Sequence, residues 1–259
     1  MTNKILVTGG YGYIRRLTGI LDVLGKIGLK RYLILKRDGV HPARYQIFNR
    51  KWLTSLKIRN VLDIGANVGE FTLIFHYLFD APTIHSFEPL PSCKVKLDAI
   101  ASSKANITFH PYALGAREST EILHVSSHAP SSSILNMGQL HKTDYPHSAG
   151  SSDVEIRCKT LDSVLADVEF HGNLLIKMDV QGFELEVIQG GYKVFRLAKV
   201  VVLEMSIQEL YDEEPGFDDL YCILKSLGFT YHGSLKQSVS KSDESFLQCD
   251  GIFINHNLG

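Results

Sequence analysis

The chain has 259 residues, 44% of them apolar, with 27 basic and 28 acidic side chains and a formal net charge of −1. This length and apolar share allow one large α/β domain with a small extension and exclude two full nucleotide-binding domains; the charge balance excludes a global attraction to nucleic acid or to an anionic membrane. The four cysteines (Cys93, Cys158, Cys222 and Cys249) have no metal-ligand spacing, no apolar run reaches the roughly 20 residues of a membrane span, and the opening residues lack the zones of a secretory signal, so a reducing, cytoplasmic setting is expected.

Residues 1–57 predict a helical extension, with amphipathic patterns over 14–27 and 41–56. Its basic pairs, Arg15-Arg16, Lys30-Arg31 and Lys36-Arg37, read as solvated helix faces. Residues 58–259 predict one domain in which strand, glycine turn and helix alternate. Strands are expected at 60–64, 83–87, 106–112, 174–178 and 200–203, and helices at 69–79, 91–101, 183–189 and 217–227. Residues 229–232 and 246–254 would close the domain as an antiparallel pair. The alternation predicts a mostly parallel sheet covered on both faces. The stretch 124–152, rich in Ser, His and Gly and holding Pro130 and Pro146, predicts a long irregular segment, either a passive surface loop or a lid.

The most informative stretch is Val61-Leu62-Asp63-Ile64-Gly65-Ala66-Asn67-Val68-Gly69-Glu70. A strand delivers Asp63 to its carboxyl end, Gly65 and Gly69 permit a tight turn, and free N–H groups of the following helix start are expected to point at the crevice. A dinucleotide would set its pyrophosphate against this turn, where a carboxylate is unwelcome. S-adenosylmethionine brings an ammonium and a sulfonium, which suit Asp63. Glu88 ends the next predicted strand about 20 residues beyond the turn, the place from which a Rossmann-type fold grips ribose hydroxyls; the alternative is a solvated loop acid.

These residues resemble the FkbM family of methyltransferases. The matching stretches are 61–72 (VLDIGANVGEFT), 86–89 (SFEP), 113–115 (ALG), 131–135 (SSSIL), 160–162 (TLD), 176–190 (IKMDVQGFELEVIQG) and 201–204 (VVLE), in order across about residues 58–255. The resemblance implies a class I methyltransferase Rossmann-like α/β fold, a sheet of seven strands, mainly parallel with one antiparallel. It implies S-adenosylmethionine as cofactor, held by Asp63, Gly65, Ala66, Asn67, Gly69, Phe71, Thr72, Glu88, Pro89, Ala113 and Leu114. It also implies methyl transfer to a hydroxyl oxygen of a small-molecule, sugar or glycolipid acceptor. Gln181 departs from the Glu that such sequences often carry.

Methyl transfer needs an aligned acceptor and a group to take its proton. Asp179 and Glu204 each end an apolar strand and are the candidates; Asp179 also suits a helix cap. Together they offer oxygen ligands for Mg²⁺, a less favoured reading. Glu184 is expected to bond nearby loop backbone, and Glu186 to lie on a solvated face. His85, His110, His124, His128, His141 and His147 are further possible bases without metal-motif spacing.

Two rival readings remain at this point. Residues 4–14 (KILVTGGYGYI) resemble the opening of an NAD-dependent short-chain dehydrogenase or sugar epimerase, and Tyr221 and Lys225 mimic its Tyr-x-x-x-Lys pair. Arg15, however, occupies the third-glycine position, and Tyr221 and Lys225 lie on an ordinary amphipathic helix. The other rival is a non-catalytic cofactor-binding domain, against which the set Asp63, Glu88 and Asp179 argues. The sequence carries no signature of oligomeric state.

Overall fold

A computed structural model describes residues 21–148 and 150–258. The chain divides into two compact units, residues 1–55 and 56–259. In the first, residues 21–27 are helical, followed by α1 (Leu29–Arg37), α2 (Pro42–Phe48) and α3 (Lys51–Thr54). Leu35, Val40, Tyr45, Phe48 and Leu53 form its buried set. The single helix expected over 41–56 is two, because Arg50 adopts an extended conformation (φ −107°, ψ 135°) between them. The epimerase-like segment 4–14, and the part of the 14–27 pattern up to residue 20, lie outside the described residues.

The second unit runs β1 (Ile58–Ile64), α4 (Glu70–Leu78), β2 (Thr83–Phe87), α5 (Pro91–Ser103), β3 (Ile107–His110), β4 (Ala113–Leu114) and β5 (Ser119–Ser126). There follow α6 (Gln139–Asp144), β6 (Ser151–Lys159), α7 (Leu161–Val164), β7 (Asn173–Met178), α8 (Glu184–Gly190) and α9 (Tyr192–Phe195). The unit closes with β8 (Ala198–Ser206), α10 (Phe217–Ser226), β9 (Phe229–Val239) and β10 (Phe246–Asn255).

The main sheet has seven strands in the order β3-β2-β1-β7-β8-β10-β9. All its pairings are parallel except those of β10, which runs antiparallel to both neighbours. The central strands β1, β7 and β8 are built mainly from Val, Leu and Ile, as expected of parallel strands covered on both faces, with Asp63, Lys177 and Glu204 set among them. Leu174, Leu175, Ile176, Val200 and Val201 are fully buried, each contributing about 1.5–3 kcal/mol relative to exposure. Parallel pairing places the carboxyl ends of β1, β2, β7 and β8 along one edge, which positions the candidate site.

Two expectations need correction. The strand expected over 106–112 stops at His110, and residues 113–114 leave for a second sheet of three strands, β4-β6-β5. The stretch 124–152 is not irregular throughout. It begins inside β5, contains α6 and ends inside β6, with which β5 pairs antiparallel. Its Ser- and His-rich composition hid an edge sheet whose outer face is exposed, so polar residues occupy strand positions.

Candidate active site

The turn after β1 is held by its own hydrogen bonds. Gly65 and Ala66 N–H both donate to Phe87 O (3.0 Å each), and Gly69 N–H donates to Ala66 O (2.8 Å). Asn67 N–H donates to Glu88 Oε2 (2.8 Å), and Val68 N–H to Asn67 Oδ1 (2.7 Å). The N–H groups of the turn at 65–69, expected to be free, are therefore already taken: Phe87 O and Glu88, at the end of β2, accept those of Gly65, Ala66 and Asn67, while Asn67 Oδ1 and Ala66 O, within the turn, accept those of Val68 and Gly69. Gly65 is required twice over, by its φ of +76° and because a Cβ there would lie 1.9 Å from Asp179 O.

Asp63 is fully buried. Its Oδ2 accepts from Thr72 Oγ1 (2.6 Å), which also bonds Ser86 Oγ (2.8 Å). Its Oδ1 has no hydrogen bond but lies 3.7 Å from Lys177 Nζ. Burial pushes the Asp63 carboxyl up, and Lys177 and Thr72 oppose it. Glu88 is buried as well and joins the two turns: Oε2 takes Asn67 N–H and Oε1 takes Leu90 N–H (2.9 Å). Each oxygen keeps lone-pair capacity for a further donor. Ala66 is buried, while Asn67, Phe71 and Pro89 are half-buried around the crevice. Ala113 and Leu114 are buried on β4, paired with Cys158 and Lys159.

The ends of β7 and β8 are arranged differently. Asp179 has a side chain 34% exposed. The Gln181 amide donates to Asp179 Oδ1 (2.6 Å) and to Glu204 Oε2 (2.8 Å), and its carbonyl accepts from Tyr211 OH (2.7 Å). Gln181 sits at φ +57°, and Ser133 Oγ donates to its backbone carbonyl (2.6 Å). Gln248 donates to the other Glu204 oxygen. Burial, followed by the charges of Asp179, Asp250 and Glu184, pushes Glu204 well above the usual carboxylate range. Glu184 Oε1 accepts Val180 N–H (3.0 Å), and burial pushes its carboxyl up to about 8.

Sequence reading placed Asp179 and Glu204 together, and Gln181 joins them here. It did not foresee Lys177, Tyr211, Gln248 or Ser133. Lys177 alone left a local signal, as the lone charge in the apolar strand Asn173–Met178. Asp179 does not cap α8, since Phe183 is that helix's N-cap and Asp179 faces Gln181 instead. Glu186 is half-buried rather than on a solvated face, with Oε2 enclosed. None of the six candidate histidines hydrogen-bonds Asp179 or Glu204 among the described residues. His85 and His110 bond each other (3.0 Å) beside Phe87, and His124 pairs with Asp153 (2.7 Å). His141 is buried, which lowers its pKa to about 4. Tyr221 and Lys225 stack against each other on α10, whose Leu220 and Leu224 fill the core as an apolar stripe.

Acids at the ends of adjacent parallel strands, a glycine turn between β1 and α4, and the single antiparallel strand β10 define a class I methyltransferase domain that uses S-adenosylmethionine. More particularly, residues 63–231 match the model of the methyltransferase FkbM domain, and the chain belongs to that family. A protein named Methyltransferase 1 from Beauveria bassiana is 26% identical over 182 residues, 65% of this chain and 71% of its own length. The 2-O-methyltransferase NoeI of Sinorhizobium fredii is 27% identical over 166 residues, 59% and 65% of the two chains. The 31-O-demethyl-FK506 methyltransferase FkbM of Streptomyces tacrolimicus is 24% identical over 198 residues, 66% and 72%. The solved FkbM methyltransferase of Methylobacillus flagellatus superposes with a TM-score of 0.48 at 14% identity, covering 83% of this chain and half of that one.

Proposed function

We propose that this domain, residues 58–259 with the helical extension 1–57 attached, transfers a methyl group from S-adenosylmethionine to a hydroxyl oxygen of a small, sugar-containing acceptor in the cytoplasm. One observation carries the reading. The turn at 65–69 offers no N–H groups for a phosphate, while the crevice beside it is bordered by the carboxyls of Asp63, Glu88, Asp179 and Glu204. A ligand with an ammonium and a sulfonium fits that border; a pyrophosphate does not. The enclosed, unbonded Asp63 Oδ1 and the spare lone pairs of Glu88 are the acceptors such a ligand needs.

When bound, S-adenosylmethionine supplies an electrophilic methyl group on a positive sulfur. Asp63, Gly65, Ala66, Asn67, Gly69, Phe71, Thr72, Glu88, Pro89, Ala113 and Leu114 hold the cofactor or shape its walls. Asp179, the more open carboxylate of its pair, takes the acceptor hydroxyl's proton. Glu204 is the less available base because both its oxygens are already taken by the amides of Gln181 and Gln248, and it anchors Asp179 through Gln181. Names of two relatives, 2-O-methyltransferase and 31-O-demethyl-FK506 methyltransferase, support an oxygen acceptor. A pocket of about 110 Å³ beside Tyr211, lined in part by Ser126, Ser131, Ser133, Asn136 and Lys142, supports a hydroxyl-rich one. In this reading the 124–152 segment, which supplies most of that lining, closes over the acceptor.

Mg²⁺ is not needed in this mechanism. The Gln181 amide nitrogen sits between Asp179 and Glu204, where a bridging cation would have to lie, and no three His, Cys, Asp or Glu groups converge as ligands among the described residues. A labelled-methyl screen across hydroxylated sugars, glycolipids and polyketides tests the assignment, with calorimetry of the cofactor alongside. Absence of heat with S-adenosylmethionine and with its demethylated product, in folded protein, overturns it.

A further inference from the structure

We propose that Lys177 is a positioning residue shared by both halves of the site, its buried ammonium keeping the cofactor-side and acceptor-side carboxyls charged and held against one another. The role in cofactor binding rests on the functional reading above; the electrostatic role does not.

Lys177 is 5% exposed on β7, in register with Asp63 on β1 and with Val202 on β8. Its Nζ lies 3.7 Å from Asp63 Oδ1 and 3.6 Å from Asp179 Oδ2, donates to Gly65 O (3.4 Å) and stands 4.6 Å from the centre of the Phe71 ring. One ammonium thus touches the acid of the cofactor turn, the turn's own backbone and the acid facing the acceptor.

The charges facing it come from four strands of the sheet: Asp63 on β1, Asp179 at the end of β7, Glu204 on β8 and Asp250 on β10. Glu88 beyond β2 feels it too. Burial drives Asp63, Glu88, Glu204 and Asp250 toward the protonated form, and Lys177 opposes burial at all four. Lys236 on β9 adds a second opposing cation at Asp250. Burial also works against the ammonium itself, but the surrounding acids outweigh it and hold the proton on Lys177. Without this cation the carboxyls would have to take up protons or remain buried and unpaired. A neutral Asp63 and Glu88 would lose their attraction for a cationic cofactor, and Asp179 would lose the partner that fixes its position.

The test compares Lys177→Met, which keeps the stem and removes the charge, with Lys177→Arg, which keeps the charge. Thermal unfolding of the ligand-free proteins is followed from pH 5.5 to 8.5. A carboxyl whose folded-state pKa is raised loses stability as pH rises above its unfolded value, and removing Lys177 raises four of them further. The Tm deficit of Lys177→Met should therefore widen with pH, to about twice its acid-side value, while Lys177→Arg follows the wild-type slope. At pH 6, folded Lys177→Met should bind the demethylated cofactor about tenfold more weakly. A pH-independent deficit overturns the electrostatic role, because lost stem packing alone has no titrating group. Full cofactor affinity in folded Lys177→Met overturns the positioning role. If Lys177→Met does not fold, the double variant Lys177→Met/Asp63→Asn, with one fewer buried charge, should fold at pH 8; its failure to do so counts against the proposal. If the wild type binds neither cofactor form, the functional reading fails while the melting series still decides the electrostatic role.

Discussion

The two halves of the crevice are built on different plans. On the cofactor side, each acid is sealed in and tied to the turn or the helix after it: Glu88 to the N–H groups of Asn67 and Leu90, Asp63 to Thr72. On the acceptor side, Asp179 and Glu204 are linked by side chains alone, through Gln181, Tyr211 and Gln248, and Asp179 stays partly open. The difference matches what each half must do. In the proposed function, a cofactor common to the family is held by a backbone turn that tolerates little change, whereas a side-chain network can be re-tuned for each acceptor without disturbing that turn.

The comparison breaks most visibly at Asp179. Asp179→Asn should lower turnover by roughly 10²–10⁴, the range for a lost general base, while its Tm stays near wild type; single-turnover methyl transfer with an identified acceptor reads the effect. Near-normal turnover would make the acceptor half a scaffold and not a reactive centre. Next in size is the fold of the cofactor half. Gly65→Ala places a Cβ against Asp179 O at a positive φ, and strain of this kind costs about 1–3 kcal/mol. A denaturant midpoint unchanged from wild type would show that the turn is looser than its hydrogen bonds indicate.

A smaller effect is expected for the network. Tyr211→Phe removes the hydroxyl that donates to Gln181 Oε1 (2.7 Å) and lies 3.2 Å from Ser131 O, a loss worth about 0.5–1.5 kcal/mol, and should raise KM for the acceptor while leaving cofactor affinity unchanged. Equal effects on both would mean that the halves are not separable. The smallest concerns pH. Glu184, pushed up to about 8 by burial, contributes stability that is fully present below its unfolded pKa of 4.5 and is lost as pH rises through about 8. Glu184→Gln should therefore flatten the decline in Tm between pH 5 and 8.5, and an unchanged slope would place the titration elsewhere.

The same contrast explains what the sequence revealed. The strand, turn and helix from Val61 to Leu78 are contiguous, so hydrophobic period, glycines and acids appear in one reading frame. The positions of Asp63, Glu88 and Asp179 at strand ends follow from that local pattern. The bonding of the turn's own N–H groups did not follow, because its acceptors, Phe87 O and Glu88, come from another strand. The acceptor half is non-local throughout: Tyr211 reaches Gln181 across 30 positions and Gln248 reaches Glu204 across 44, with no periodicity to announce either. In β5 and β6 the exposed positions are mostly polar (Thr120, Ser152, Asp153, Glu155 and Arg157), and this polarity concealed strands that pair over residues 119–126 and 151–158. Lys177 was visible as a charge inside an apolar strand, but its meaning lies in carboxyls contributed by several separate strands.

The most direct test of the separation is a pair of calorimetric titrations of S-adenosylhomocysteine into Asp179→Asn and Glu88→Ala, each confirmed as folded. Glu88→Ala removes a carboxylate on the cofactor side, and a lost charge-assisted hydrogen bond is worth about 1.5–3 kcal/mol, or roughly tenfold or more in affinity. A cofactor half and an acceptor half with distinct tasks predict wild-type affinity for Asp179→Asn and at least that loss for Glu88→Ala. Equal losses in both variants, or none in either, would contradict the division of the crevice into a holding half and a reacting half.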